Sequence, residues 1–181
     1  MTSSTMATIT EAMVPVFHRW IQERARPELL IDIADYRHVP DGPGVMLIGH
    51  QADYSLDHGN GQWGVRYNRK AVLQGSNRDR LQQSLRSALE ACRILEQEER
   101  LQGRVRFNGR QIVLTVNDRL LAPNTPEMRA AVRAELEPFI QKLLAGASHE
   151  IAFDEEPRKL LTLTVTSQQP RTADQLLTNL A

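Results

Sequence analysis

Two segments of the sequence repeat one pattern at a spacing of 49 residues. Residues 65–76 read VRYNRKAVLQGS, and residues 114–125 read LTVNDRLLAPNT. Each segment has alternating apolar residues, then an asparagine, a nearby basic residue, an apolar pair and a hydroxyl residue that can cap a helix. A fixed period of this length is typical of repeated supersecondary units. The sequence therefore predicts that strand, loop and helix follow one another at least twice.

The period extends to a third segment. Three sets of apolar residues at this spacing occupy one face of successive predicted strands. They are Trp63, Ile112 and Leu161; Val65, Leu114 and Leu163; and Tyr67, Val116 and Val165. We consider repeat units over 50–102, 103–147 and 148–181, the last one truncated. Only two aligned pairs are identical between 62–76 and 111–125. Both a true duplication and two similar hairpins that obey the same strand and cap rules therefore stay open.

Apolar spacing predicts helices and hairpins in alternation. Helices run from about Ile9 to Arg24, from Ser76 to about Gln102, and onward from Thr125, with a short last helix after Thr172. Pro15 favours a later start for the first helix, near Val14, and Pro138 should kink or split the third. The hairpins cover 52–68, 104–117 and 149–168, and two β-type runs precede them.

Each of these elements has one apolar surface, which it must bury against another element. We therefore expect an α+β fold with a mainly antiparallel sheet of about six or seven strands and helices packed on one face. The three sets of apolar residues supply the sheet's share of the core. Residues 1–7 are expected to be disordered, and 8–181 to form a single domain.

Composition excludes several classes of function. Lys plus Arg and Asp plus Glu balance at 22 each, which argues against a nucleic-acid binder held by phosphate contacts and against a polybasic membrane-surface protein. The single cysteine, Cys92, excludes an internal disulfide and a cysteine-based zinc site, and its apolar helical stripe predicts a small buried hydrophobe. No run is long enough to span a membrane, and the N-terminus does not resemble a secretory signal, so we expect a cytoplasmic protein.

The loops that follow the two repeated strands are the first candidate site. Asn68, Arg69 and Lys70 lie in one loop, and Asn117 and Arg119 lie in the other. An amide and a cation just before a helix N-terminus can bind a small anionic ligand such as a carboxylate or a phosphate. The alternative is that each asparagine bonds its own turn and the cations are solvated.

The segment around the first hairpin holds the densest cluster of acid–base side chains. These are His50, Asp53, Asp57 and His58. On an extended strand they lie too far apart to share one metal ion, and we predict no metal site. A bend near 49–52 could join His50 to a side chain elsewhere. The alternative is that all four are polar residues on the faces of a hairpin.

The loop at 38–44 is a third candidate, with Asp32, Asp35, His38 and Asp41 on or near it. Loops rich in glycine and proline can form rigid walls of a site, and they are also ordinary connections. The sequence contains no GxGxxG, Walker-type, HExxH or GxSxG motif. The common nucleotide-binding, zinc-protease and hydrolase signatures are therefore missing.

Two classes of function remain. The first is a non-catalytic binding or assembly protein, expected to associate with itself through an exposed sheet face or an edge strand. The second is an enzyme acting on a small anionic substrate, with His50 as general acid or base beside Asp53 and with Lys70 or Arg119 holding the anion. The sequence assigns no cofactor to either. We favour the first class, and convergence of His50, Asp53 and Lys70 in a pocket would favour the second.

Overall fold

Seven antiparallel strands and four α-helices build the part of the chain that the computed structural model describes, residues 3–39, 42–59 and 62–181. The α+β class is confirmed. The strands form two sheets of four and three strands, where the sequence predicted one sheet. The chain divides into two compact units, Met1–Phe107 and Asn108–Ala181. The single domain over 8–181 stays a prediction.

The first unit is a four-stranded meander with two helices. Its elements are α1 Ser3–Gln22, β1 Leu30–Asp35, β2 Val45–Gly49, β3 Ala52–Gly59, β4 Gln62–Arg69 and α2 Asn77–Gln97, followed by a short 3-10 helix, Glu99–Leu101. The strands are ordered β1-β2-β3-β4. Helix α1 packs against β1 and β2, and α2 packs against β4.

Helix α1 is longer than the sequence predicted. It begins at Ser3 and continues through Pro15, so residues 3–7, expected to be disordered, are helical. Residues 1 and 2 lie outside the described residues. Ile9 precedes the proline, Val16 follows it, and both are fully buried. Packing on both sides of Pro15 therefore holds the helix where one backbone hydrogen bond is lost.

One face of the four-stranded sheet carries the core of the first unit. Leu47 on β2 and Tyr54 on β3 pack with Phe17 and Trp20 of α1 and with Leu95 of α2. The aromatic rings meet edge to face, with centroids 5.5 Å apart for Phe17 and Trp20 and 6.2 Å apart for Trp20 and Tyr54. Both helices of this unit therefore cover the same sheet face.

The second unit is built around β7. Its elements are β5 Gln111–Val116, α3 Pro126–Leu143, β6 His149–Phe153, β7 Leu161–Ser167 and α4 Ala173–Asn179. The strands are ordered β5-β7-β6, so β7 is central and β5 and β6 are edges. Helix α3 continues through Pro138 to Leu143, where the sequence predicted a kink or a split. Across the described ranges, none of the helices has both the length and the apolar composition that a bilayer span requires.

The predicted hairpin over 104–117 is wrong. Residues 104–107 form no strand, and β5 pairs instead with β7, with Leu114 opposite Leu163. Val105 and Phe107 pack against the core of the first unit, which removes them from any ladder with β5. Gly109 has a φ of +55°, and a Cβ there would lie 2.2 Å from the Arg171 carbonyl oxygen. The Asn108–Gly109 pair therefore serves a close backbone approach rather than a hairpin turn.

The other two hairpins, β3–β4 and β6–β7, are confirmed. The repeated apolar residues differ in burial. Leu161, Leu163 and Val165 are fully buried, and Trp63, Val65 and Tyr67 are partly buried against the core of the first unit. Ile112 and Leu114 are half-buried, and Val116 is exposed at the strand end. Internal duplication stays a prediction.

Candidate functional site

Lys70 and Asp53 form an ion pair at the edge of the first sheet. The Lys70 Nζ lies 2.7 Å from Asp53 Oδ1, and the Gly49 amide donates to the same oxygen at 3.3 Å. Asp53 lies on β3, where the pairing of β3 with β4 places it opposite Asn68. Its side chain is buried and that of Lys70 is partly exposed. Each group already neutralises the other, which leaves neither as an obvious ligand for a substrate.

His50 lies in the turn between β2 and β3 and is exposed. Its backbone amide donates to the Leu29 carbonyl oxygen at 2.8 Å. The chain therefore bends at 49–52, as the sequence suggested, and the turn brings Gly49 to the Asp53 carboxylate. The assignment of His50 and Asp53 as an acid–base pair stays a prediction.

Arg69 is held by its own strand and loop. Its Nε donates to the Ala71 carbonyl oxygen at 3.1 Å, and its Nη1 donates to the Tyr67 hydroxyl at 3.3 Å. Among the cations predicted for an anion site, both Arg69 and Lys70 are thus engaged within the first unit. In the second unit Asn117 and Arg119 are exposed, and their ligand-binding role stays a prediction.

His38, the first residue of the loop at 38–44, borders an open depression of about 450 Å³ that Thr10, Glu11, Asp35 and Arg37 also line. Hydrogen bonds from Arg37, at 2.8 Å from its Nε, lower the pKa of the Asp35 carboxyl to about 2. The Asp35 carboxylate and the Arg37 guanidinium are therefore hydrogen-bonded to each other. Asp41 lies outside the described residues. His50, Asp53 and Lys70 do not line this depression.

A buried polar cluster centred on Glu28 was missed by sequence reasoning. Tyr54 and Tyr67 donate their hydroxyl protons to the Glu28 carboxylate, each at 3.0 Å. Arg26 donates to the Tyr54 hydroxyl at 3.1 Å and to Glu90 Oε2 at 2.9 Å. We call Arg26, Glu28, Tyr54, Tyr67, Gln83, Ser87 and Glu90 the Glu28 cluster. It joins the segment before β1 to β3, β4 and α2.

Burial keeps Tyr54 of the Glu28 cluster in its neutral form. Burial raises the pKa of Tyr54 far above its ordinary value, so the phenol stays protonated and can donate to Glu28.

The sequence did contain one signal of this buried polar cluster. Tyr54 and Tyr67 both fall on the apolar face of their strands, and a buried tyrosine hydroxyl needs a polar partner. Their partners are distant in the chain, so the pattern could not identify Glu28.

The thiol of Cys92 is buried, as the sequence predicted. Burial raises its pKa to about 12, which leaves almost no thiolate at neutral pH and makes it unsuited to nucleophilic catalysis. Over the described part of the chain, no three histidine, cysteine or acidic side chains come together in a way that could hold a metal ion.

The turn after β5 presents two leucines, the apolar pair of the repeated pattern, to solvent, and the sequence did not predict this exposure. Leu120 is 94% exposed and Leu121 is 79% exposed. Asp118 Oδ1 accepts the backbone amides of Leu120 and Leu121 at 2.9 and 3.0 Å, and the Ala122 amide bonds the Asp118 carbonyl oxygen at 2.9 Å. We call residues 118–122 the Leu120 turn. It is an ordered turn whose apolar side chains point outward.

The end of the Leu120 turn is fixed to the rest of the second unit. Asn124 is buried, and its side-chain amide donates to the Asp154 and Glu156 carbonyl oxygens, each at 2.9 Å. Thr125 then caps α3 by accepting the Met128 amide. Both anchors lie within a few residues of the leucines, so the turn has a defined position beside the strand edge.

No protein-family model, curated protein sequence or solved structure matches this chain. The geometry of its own residues is therefore what supports a function.

Proposed function

We propose that the chain is a non-catalytic assembly protein that associates with copies of itself through the Leu120 turn. The observation that carries this proposal is the outward display of Leu120 and Leu121 by a hydrogen-bonded turn. Fully burying one leucine stabilises a structure by about 1.5–3 kcal/mol. Burial of these two adjacent leucines against a second chain would therefore stabilise an interface.

The charge of the protein supports association between copies. Its formal net charge is zero at neutral pH, so copies do not repel one another through an excess of one sign. We place this assembly in the cytoplasm, since the free buried Cys92 suits a reducing compartment.

The structure offers less support to an enzyme acting on a small anion. Lys70 is paired with Asp53, and Arg69 is bonded to Tyr67 and Ala71. An anion would have to displace these partners before it could bind. The open depression lies at other residues, lined by Asp35 and Arg37 among others. The assembly proposal requires no such rearrangement.

Sedimentation equilibrium over a range of concentrations tests the proposal. The wild-type protein is expected to form an oligomer, and the Leu120→Ser, Leu121→Ser double variant is expected to weaken it by at least about a hundredfold in Kd. Val72→Ser is the matched control, because Val72 occupies the position equivalent to Leu121 in the first segment and is 83% exposed. Circular dichroism checks that each variant keeps the native fold.

The control is expected to sediment like the wild-type protein. A wild-type chain that stays monomeric up to about 1 mM would overturn the proposal, since association weaker than this supplies less than about 4 kcal/mol. Equal oligomer formation by the wild-type protein and the double leucine variant would overturn the role of the Leu120 turn.

A further inference from the structure

Four of the described strands lie at sheet edges, and three of them carry features that discourage pairing with another chain. Strand β1 has Asp32 and Asp35 and an irregular register between Leu30 and Asp32. Strand β4 has Arg66 and Arg69. Charges and bulges on edge strands oppose the addition of a further strand.

Strand β6, at one edge of the second sheet, is also protected. It contains Glu150, and the Arg133 Nη2 from α3 donates to the Ile151 carbonyl oxygen at 2.8 Å. The same guanidinium lies over the Phe153 ring at 5.4 Å from its centroid. An incoming strand would meet a charged side chain bound to the backbone.

Strand β5 has none of these features over its described length. Its sequence, QIVLTV, contains no charge, proline or glycine, and its register with β7 is regular throughout. Val113 is 50% exposed on one face and Val116 is 37% exposed on the other. An uncharged, regular and partly apolar edge strand is a template for strand addition. The Leu120 turn follows it directly.

We infer that β5 pairs antiparallel with β5 of a second copy, about a two-fold axis at Leu114, and so joins two three-stranded sheets into one. The inference rests on the proposed self-association and specifies its geometry. An isologous pair of this kind requires each residue to meet its partner by symmetry. The occupant of this edge is therefore an identical chain.

The alternation of side chains restricts the register. Ile112, Leu114 and Val116 face the core of their unit, because they pair with the buried Val165, Leu163 and Leu161 of β7. A continuous apolar face requires these residues to meet core-facing residues of the partner, since a one-residue slip would place polar residues there. A two-fold axis that passes through a residue satisfies this condition, and an axis between two residues does not.

Charge selects the axis at Leu114. In this register Ile112 lies opposite Val116, and Arg110 of one copy lies opposite Asp118 of the partner subunit. Symmetry makes two such pairs of opposite charge. With the axis at Val113, Arg110 would instead face Val116, and Asp118 would face Asn108. Arg110 Nη2 donates to the Gln168 carbonyl oxygen at 3.3 Å within its own unit and has further N–H groups for the partner's carboxylate. The complementary charges at the two ends of β5 therefore favour an identical chain in this register.

Cysteine cross-linking tests the axis directly. In a Cys92→Ser background, Leu114→Cys places two thiols opposite each other, within reach of a disulfide between copies. The matched control is Glu150→Cys on β6, the other edge of the same sheet. After mild oxidation, a denaturing gel is expected to show a cross-linked dimer for the first variant and a monomer for the control.

Charge reversal tests the register without a new covalent bond. Arg110→Glu places two acidic residues opposite each other, and we expect it to weaken the dimer by at least about tenfold in Kd. Adding Asp118→Asn to Arg110→Glu removes this repulsion, keeps a side-chain oxygen that can accept the Leu120 and Leu121 amides, and is expected to recover most of the lost affinity. Sedimentation equilibrium measures both.

The outcomes separate this inference from the proposed function. If the wild-type protein is oligomeric but Leu114→Cys does not cross-link and Arg110→Glu has no effect, the β5 pairing is overturned while self-association through the Leu120 turn remains. If the wild-type protein is monomeric, both are overturned. Cross-linking at Leu114, together with recovery of affinity when Asp118→Asn is added to Arg110→Glu, would support the geometry.

Discussion

Strands β4 and β5 both lie at a sheet edge, and both lead through a short loop to a capped helix, but their loops differ in what they contact. After β4, Arg69 bonds the Tyr67 hydroxyl and Lys70 bonds Asp53. After β5, Asp118 accepts the amides of its own turn, and the side chains of Leu120 and Leu121 point to solvent. One loop is tied to its own unit, and the other presents an apolar surface.

The strands differ in the same way at equivalent positions. Tyr67 on β4 donates to the buried Glu28 carboxylate and lies 5.0 Å from Tyr54, ring centroid to ring centroid. Val116 on β5 occupies the corresponding position and is partly exposed. The tyrosine hydroxyl can hydrogen-bond a polar partner across the core, whereas the shorter valine side chain has no polar atom and can make no such bond.

This difference shows that a shared order of elements does not specify a shared role. A hydroxyl cap is present in both segments, because Ser76 and Thr125 each accept an amide of the first helical turn. The contacts of each loop depend on a few side chains between the end of the strand and the helix cap. After β4 these side chains contact their own unit, and after β5 two of them are exposed.

The largest effect is expected from Arg26→Met, which removes the cation of the Glu28 cluster that holds β4 and α2 together. Its side chain is 3% exposed, and its loss leaves the partly exposed Glu90 carboxylate without its cation and removes the donor to the buried Tyr54 hydroxyl. We expect the free energy of unfolding to fall by about 2–4 kcal/mol. Urea unfolding followed by tryptophan fluorescence measures it, since Trp20 and Trp63 both belong to the first unit.

Arg78→Met is the control for that measurement, because Arg78 is exposed at the start of α2. Its effect should stay within about 0.5 kcal/mol. If Arg26→Met costs less than about 1 kcal/mol, the Glu28 cluster does not fix the first edge and the contrast between the two edges loses its physical basis.

A second prediction compares the cations at equivalent positions, Lys70 and Arg119. Lys70→Met leaves the Asp53 carboxylate buried with only the Gly49 amide as a partner, so we expect a loss of about 1–3 kcal/mol in unfolding free energy. Arg119→Met should change it by less than about 0.5 kcal/mol. Thermal and urea unfolding of both variants measure this. Equal losses would show that the two loops are not distinguished by their cations.

A third prediction concerns the helix caps, where the two segments agree. Ser76→Ala and Thr125→Ala should each reduce the unfolding free energy by about 1 kcal/mol. Ser76→Ala should be the more severe, because Ser76 forms a reciprocal capping box with Asp79 and Thr125 accepts a single amide. Urea unfolding measures both, and Ser→Thr and Thr→Ser exchanges serve as controls that should restore most of the loss.

The smallest effect is a change in the titration of two carboxylates. Hydrogen bonds from Ser76 lower the pKa of Asp79. The pKa of Glu127 is lowered first by its own backbone amide and then by the Thr125 hydroxyl. Because both folded pKa values lie below the unfolded ones, about 3.9 for aspartate and 4.3 for glutamate, the associated stability is complete above these values. It is lost as the pH falls through the folded pKa.

Carboxyl carbon chemical shifts, followed by NMR during an acid titration, measure these pKa values. Ser76→Ala should raise the pKa of Asp79 towards its ordinary value and leave Glu127 unchanged, and Thr125→Ala should do the reverse. A pKa of Asp79 that does not respond to Ser76→Ala would contradict the hydrogen-bonded cap.

Local features were predictable from the sequence because they depend on residues close together in the chain. The caps at Ser76 and Thr125 and the hairpins β3–β4 and β6–β7 require only neighbouring residues and short turns. The buried state of Cys92 followed from its apolar stripe. Of the candidate sites, the sequence placed Asp53 and Lys70 on adjacent elements, and the structure brought them into contact.

The tertiary structure decided how these local pieces are combined. Glu28 meets Tyr67 across 39 positions, and Arg26 meets Glu90 across 64, so no local pattern could specify either contact. The pairing of β5 with β7 could not be predicted from local pattern either. Val105 and Phe107, the predicted partner strand of β5, pack against the core of the first unit, and β5 pairs with a strand distant in the sequence. Local preferences choose strands, turns and caps, whereas burial depends on which surfaces the rest of the chain leaves uncovered. For that reason only the folded chain shows that β4 is tied to its unit and that Leu120 faces water.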